Sequence, residues 1–148
     1  MDLQLPPDFK EFLKLLHDHD VKYLLIGGYA VVYHGYARST NDIDIWVARE
    51  AANAERIVIV LKEFGFDTPQ LSPDLFTSEK RIVRMGVEPV LLEITTSIAG
   101  VHFDECFAER LVDTLDGVEV NLISLHHLKI NKRASGRYKD LNDLEHLP

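Results

Sequence analysis

The sequence predicts an α/β (α+β) domain in which a mixed central sheet of about five strands is flanked by helices. Three observations carry that prediction. Short apolar runs bounded by glycine or by turn residues read as buried strands, the clearest at residues 21–26. Segments with apolar residues at helical spacing lie between them. A helix also separates the second strand from the next extended segment, which calls for crossover packing and hence a mixed sheet.

Each element has a local cause. Pro6 and Pro7 suit the start of a helix, with Asp8 placed to cap it, and Phe9, Phe12, Leu13 and Leu16 recur along one side of that helix. His17 and His19 fall at its end, where positive charge is mildly favoured, and are read as structural rather than as a metal pair. Strand 21–26 stops at Gly27-Gly28, and residues 30–33 form a short helix ending near Gly35, with His34 and Tyr36 read as sheet cover. Asp42-Ile43-Asp44-Ile45-Trp46-Val47 alternates as a second strand. A helix over 51–64, closed by Gly65, shows Ile57, Val58, Val60, Leu61 and Phe64 on its apolar side. Residues 67–76 carry prolines and read as a loop with room for one helical turn.

Residues 81–85 and 87–94 are expected as a hairpin turning around Gly86. A loop comes next over 95–100, then a short helix over 103–110 burying Phe103, Cys106 and Phe107. Asp116-Gly117 makes a turn into a fifth strand, 118–122. Ser124 caps a helix through Leu125, Leu128, Ile130 and Ala134. Gly136 breaks it, and Asp140, Leu141, Asp143 and Leu144 begin the last helix. His126 and His127 are adjacent and so do not share a helical face, which argues against zinc there.

Composition bounds the function. The chain has 148 residues, expected as one domain (1–148), and 46% hydrophobic content, enough for a core. No apolar run approaches the ~20 residues that span a bilayer, so no membrane partner is expected. The opening residues 1–7 show no secretory signal, and a cytoplasmic location is the expectation. Cys106 is the only cysteine, which excludes an internal disulfide and a thiolate zinc cluster. A net charge of −8 argues against broad electrostatic binding to nucleic acid, yet leaves room for a nucleotide neutralised locally.

The chemistry concentrates around residues 24–45. Asp42 and Asp44 project from one face of their strand while Ile43 and Ile45 point into the core. Paired carboxylates repel unless they share a cation, and hard oxygen ligands suit Mg²⁺ or Mn²⁺. Gly27 and Gly28 open a helix whose free N–H groups can receive a phosphate, although Gly-Gly is also a common tight turn. Glu93, between Leu92 and Ile94, is the third acidic candidate. Arg38 either grips a phosphate in bidentate fashion or pairs with Asp42 or Asp44. Lys129, Lys132 and Arg133 share a helix side; they meet a triphosphate or a nucleic-acid end, or form a solvated face balancing the last helix. Lys132 is the favoured functional residue among them.

These pieces resemble a known signature. Ile26-Gly27-Gly28, a spacer of about a dozen residues, Asp42-Ile43-Asp44, and later Leu92-Glu93-Ile94 look like the motif of the nucleotidyltransferase fold shared by DNA polymerase beta, minimal nucleotidyltransferases and AbiEii-type toxins. The ending from Lys132 to Leu144 resembles the closing segment of bacterial members. The resemblance implies a nucleotidyltransferase fold and a Mg²⁺-dependent transfer of a nucleoside monophosphate from a triphosphate such as ATP to an acceptor hydroxyl. Asp42, Asp44 and Glu93 would be the catalytic metal ligands. Gly27, Gly28, Arg38, Ser39, Thr40 and Lys132 would bind the nucleotide. It further suggests a toxin–antitoxin setting, with an antitoxin-like protein partner and an RNA, protein or small-molecule acceptor. A different class remains open: a non-catalytic nucleotide-binding or partner-binding protein, itself an antitoxin or regulator, on the same fold. A metal phosphohydrolase has less support, since no histidine–aspartate pair has ligand spacing.

Overall fold

Strand β1 (Tyr23–Ile26) is buried along its whole length, which is why its sequence is uniformly apolar. It lies at the middle of a six-stranded sheet with β2 (Asp42–Val47), β3 (Ile82–Val87), β4 (Val90–Thr95), β5 (Leu111–Leu115) and β6 (Val118–Leu122), in the order β3-β4-β2-β1-β6-β5. The computed structural model describes residues 3–148; Met1 and Asp2, part of the opening read for a signal, lie outside the described residues. β1 runs antiparallel to β2 and parallel to β6, and β2 runs parallel to β4, so the sheet is mixed as expected.

Six helices cover its two faces: α1 (Pro7–Asp18), α2 (Gly27–Tyr33), α3 (Ala51–Phe64), α4 (Phe103–Ala108), α5 (Leu125–Ser135) and α6 (Tyr138–His146). Phe9, Phe12, Leu13 and Leu16 of α1 and Ile57, Val60 and Leu61 of α3 pack on one face, against Leu25, Ile43, Ile45, Leu92, Ile94 and Val120. The other face buries Leu24, Ile26 and Trp46 under Ala30, Val31, Cys106 and Leu128. The period-2 alternation of β2 therefore sends Ile43, Ile45 and Val47 to the α1–α3 core. Asp42, Asp44 and Trp46 take the opposite side.

Several local expectations need correction. The sheet has six strands because Leu111–Leu115 pairs with β6 as a hairpin; Leu111 through Thr114 are exposed, so no alternation marks it. The β3–β4 turn falls at Glu88-Pro89, and Gly86 sits inside β3 opposite Leu91. There its positive φ and the adjacent Val90 carbonyl leave no room for a Cβ. Asp8 does not cap α1; Pro6 is the N-cap and Asp8 lies in the first turn. Gly27, of the glycine pair expected to open it, is itself the first residue of α2, so the helix takes in three residues before the run expected over 30–33; α6 begins at Tyr138. Ser124 does cap α5, accepting from the His127 amide.

The β1–β2 pair that presents the acidic face is pinned at one end by Asn53, almost wholly buried on α3. Its Oδ1 accepts from the Lys22 amide at 2.7 Å, and its Nδ2 donates to the carbonyls of Lys22 at 3.1 Å and Ala48 at 2.9 Å. Removing that side chain strands the Lys22 amide and the Ala48 carbonyl just outside the two strands, the Lys22 carbonyl keeping the Ala48 amide at 3.2 Å. Asn53→Ala is expected to cost about 2–4 kcal/mol in urea unfolding, well beyond a lone lost hydrogen bond; a loss below about 0.5 kcal/mol would contradict the pinning role.

Candidate active site

Parallel pairing of β2 with β4 sets Asp44 directly beside Glu93, while Asp42 stands two residues earlier on the same face. Carboxylate oxygens of Asp42, Asp44 and Glu93 all lie within 4.8 Å of one another. All three sequence-predicted acids are thus brought together. The arrangement is electrostatically uncomfortable. Burial, then Glu93 and Asp42, push the Asp44 carboxyl up to about 7, with Lys139 and Lys132 pulling only weakly the other way. A hard divalent cation is the group such a trio of oxygens fits, and Asp42, Asp44 and Glu93 are the residues that would hold it.

Gly27 and Gly28 both pack closely against side chains of the site. Gly27 has a φ of +67°, and a Cβ there would collide with the Asp44 carboxylate. A Cβ on Gly28 would collide with the Thr40 side chain. The chain's own Asp44 and Thr40 therefore occupy the space the glycines open. Gly27 still lines the cleft, and no side chain caps α2, so no side-chain oxygen competes for its first-turn amides. Ser39 is exposed, its carbonyl accepting from Arg38.

The basic residues are where sequence reasoning is least complete. Arg38 contacts neither Asp42 nor Asp44. Its Nε and Nη2 donate to both oxygens of Asp143 on α6, at 2.8 and 3.0 Å. Lys132 is not on a solvated face but buried, its Nζ donating to Asp140 at 3.0 Å and Asp143 at 2.9 Å. Lys129 reaches the Pro148 carbonyl instead. Ser135 and Arg137 complete the network on Asp140, at 2.6 and 2.7 Å. Burial alone would raise the Asp140 carboxyl, but hydrogen bonds from Arg137, Ser135 and Lys132 overcome it and hold it down to about 2. Asp143 is lowered likewise, burial being outweighed by Arg38 and Lys132.

Arg137 is not among the sequence-predicted site residues, yet it lines the cleft with Asp44, Glu93, Asn131 and Lys132. Its Nε is committed to Asp140, but the side chain remains 76% exposed, which leaves the guanidinium's far edge accessible. Its place among the basic residues Lys129, Lys132, Arg133, Arg137 and Lys139 of the closing segment is the signal the sequence offers. Arg84 is a second residue that sequence reasoning misses; it sits opposite Glu93 in the β3–β4 register and donates to it at 3.1 Å. The cleft these residues enclose has a volume of about 230 Å³.

The histidines stay structural. His17 and His19 pair with Glu119 and Glu63 at the surface, and His34 bonds the Ile123 carbonyl. Tyr36 stacks on His146. His127 is buried against Ser124 and reaches Glu109. Among the described residues the three acids are the only cluster able to hold a metal ion.

A mixed sheet with this order, two adjacent strands carrying three convergent acids and a diglycine turn beside them define a nucleotidyltransferase fold. The chain belongs to the family described as nucleotidyltransferase of unknown function (DUF6036), which it matches over residues 7–147. Among solved structures, a Thermotoga maritima protein described as a candidate nucleotidyltransferase is similar with a TM-score of 0.66 and 16% identity, over 96% of this chain and 93% of that one. The lincosamide antibiotic adenylyltransferase LnuA, solved with lincomycin bound, gives 0.61 and 17%, over 96% and 95%. An antigenic nucleotidyltransferase-like protein from Paracoccidioides brasiliensis gives 0.53 and 18%, over 95% and 76%. At such identities the likeness establishes the fold. No curated protein matches the sequence. Among the described residues, no helix is long and apolar enough to cross a membrane.

Both charge clusters can be tested by substitution. Asp143→Ala leaves the buried Lys132 and the half-buried Arg38 without their shared partner, and is expected to cost about 3–5 kcal/mol. Adding Arg38→Met should recover part of that loss in a double-mutant cycle; strict additivity would show that the pair is not coupled. For Asp44, a folded-state pKa raised above its ordinary 3.8 means that the native protein holds an extra proton between about pH 4 and 7. Stability of the metal-free protein therefore falls as pH rises through that window, by ~4 kcal/mol at most and less where solvent screens the group. Asp44→Asn should remove the decline and melt higher than the parent at pH 8. Mg²⁺ should stabilise the parent but not the variant; an unchanged pH–stability profile would contradict the assigned strain.

Proposed function

We propose that the protein is a Mg²⁺-dependent nucleotidyltransferase, moving a nucleoside monophosphate from a triphosphate such as ATP to an acceptor hydroxyl. The observation that carries the proposal is the convergence of Asp42, Asp44 and Glu93 beside the start of α2. Divalent metal at these carboxylates would supply Lewis-acid activation of the acceptor oxygen and charge neutralisation on the leaving group.

The residues of the chain would divide the remaining work. Uncapped amides at Gly27 and Gly28 would receive β,γ-phosphate oxygens, with Thr40 and Ser39 flanking that turn. The accessible edge of Arg137 would meet developing charge on the pyrophosphate. Lys132 and Arg38, already paired, would act on the nucleotide by fixing α6, and with it Arg137, over the cleft. Glu93, held by Arg84, would accept the acceptor's proton. The acceptor oxygen then bonds to the α-phosphorus, and the bond from that phosphorus to the bridging oxygen breaks. Its electron pair leaves with pyrophosphate.

A toxin acting on RNA under an antitoxin-like partner belongs to the same chemistry. A net charge of −8, with the three acids of the cleft unneutralised, weighs against a long polyanion as acceptor. Incubation with α-labelled ATP, Mg²⁺ and pools of RNA or small metabolites should release pyrophosphate and label an acceptor in the cytoplasmic extract used as source. Asp42→Asn, Asp44→Asn and Glu93→Gln should each lower the rate by about 100-fold or more. A non-catalytic binding protein would instead hold ATP analogues without metal-dependent turnover, and that outcome would overturn the enzymatic reading.

A further inference from the structure

A second, larger cavity adjoins the carboxylate cleft. It has a volume of about 630 Å³, within the range of small-molecule sites. Trp46 forms part of its wall, two residues beyond Asp44 on the same face of β2 and hence ~7 Å further along the strand. Phe103 at the start of α4 meets the Trp46 ring edge-on, with centroids 5.2 Å apart. Ser97 lines both this cavity and the carboxylate cleft. Its place is fixed by Thr95, whose hydroxyl donates to the Ser97 carbonyl at 2.9 Å.

Direction along β2 matters. β1 is antiparallel to β2, so the Gly27-Gly28 turn lies toward the N-terminal end of β2, while the large cavity lies toward its C-terminal end. Asp44, with Glu93 beside it, stands between the two, while Asp42 lies level with the turn itself. A triphosphate seated at the glycines leaves the opposite side of the acids for the attacking group, as in-line displacement needs.

The lining also has a chemical bias. Glu50, Glu79 and Asp104 face a single guanidinium, that of Arg49. Glu50 is partnered by Lys22 at 3.3 Å, whereas among the described residues no ion pair engages Glu79 or Asp104. The Trp46 indole N–H is buried without a partner among the described residues. Aromatic surface, hydroxyls of Thr77 and Ser97, and surplus negative charge suit a compact molecule with a hydroxyl and a cationic group.

We propose that this cavity is the acceptor pocket, and that the acceptor is a small polyhydroxylated molecule carrying an ammonium group. The assignment rests on the nucleotidyl-transfer reading above and adds to it the substrate class. The hydroxyl nearest Ser97 is the one that loses its proton and takes the nucleotidyl group, with pyrophosphate as the other product.

Trp46 is the sole tryptophan, so its fluorescence reports occupancy of the pocket directly. Glucosamine, glucose and a short RNA serve as probes, added to the full chain with Mg²⁺ and a nonhydrolysable ATP analogue. Glucosamine should change the emission saturably, with at least fivefold tighter binding than glucose and no saturable effect of RNA. The double variant Glu79→Lys/Asp104→Lys, both exposed positions, should weaken glucosamine at least fivefold while the ATP analogue binds within twofold of the parent. No saturable glucosamine signal, equal binding of glucose, saturation by RNA, or indifference to the charge reversal would each overturn the acceptor assignment. Failure of the parent protein to bind the ATP analogue would instead overturn the nucleotidyl-transfer reading, because that measurement involves neither Glu79 nor Asp104.

Discussion

Mutual repulsion among three carboxylates is the constraint around which this molecule is arranged. Backbone hydrogen bonding between β2 and β4 fixes Asp44 beside Glu93, so the acids cannot move apart without breaking the ladder. Gly27 gives up its side chain so that the Asp44 carboxylate can lie against the backbone. The energy stored in this crowding is offset by the continuous burial of β1 and of the alternate residues Ile43, Ile45, Leu92 and Ile94 beneath it. A sheet with weaker support would relax by shifting register, which would move every side chain to the wrong face.

A second charge system, satisfied rather than frustrated, borders the first. Asp140 and Asp143 are nearly inaccessible to solvent and fully engaged by Lys132, Arg38, Ser135 and Arg137. Such pairing contributes more to definition of geometry than to net stability, since desolvation cancels much of the Coulomb gain. Here it joins the segment before β2 to the last two helices, and it sets Arg137 on the rim of the cleft. One acidic cluster is thus left needing a cation while the neighbouring one already has three.

The contrast also explains what the sequence could reveal. Asp42-Ile43-Asp44 and Leu92-Glu93-Ile94 declare their faces through strict alternation, and burial on both sides makes β1 unmistakable. The register that joins them is a long-range choice, visible only through the resemblance of the combined motif. β5 is illegible because an exposed edge strand needs no apolar face. Gly86 reads as a turn by composition, whereas its real cause is the nearby Val90 carbonyl. Arg38 and Lys132 are recognisable as important cations, but their partners lie on α6, where Asp140 and Asp143 look like ordinary surface acids. Burial of a charge depends on tertiary packing, and local patterning carries no trace of it.

Arg38 and Asp143 are separated by 105 positions in the chain, and the consequence is temporal. Strands β1, β2 and β4 are all synthesised before residue 96, well ahead of α6. The guanidinium of Arg38 must wait for another 105 residues to be made before its carboxylate exists. The acidic face is therefore completed last, and a nascent chain carries its acids long before it carries the clasp that orders them.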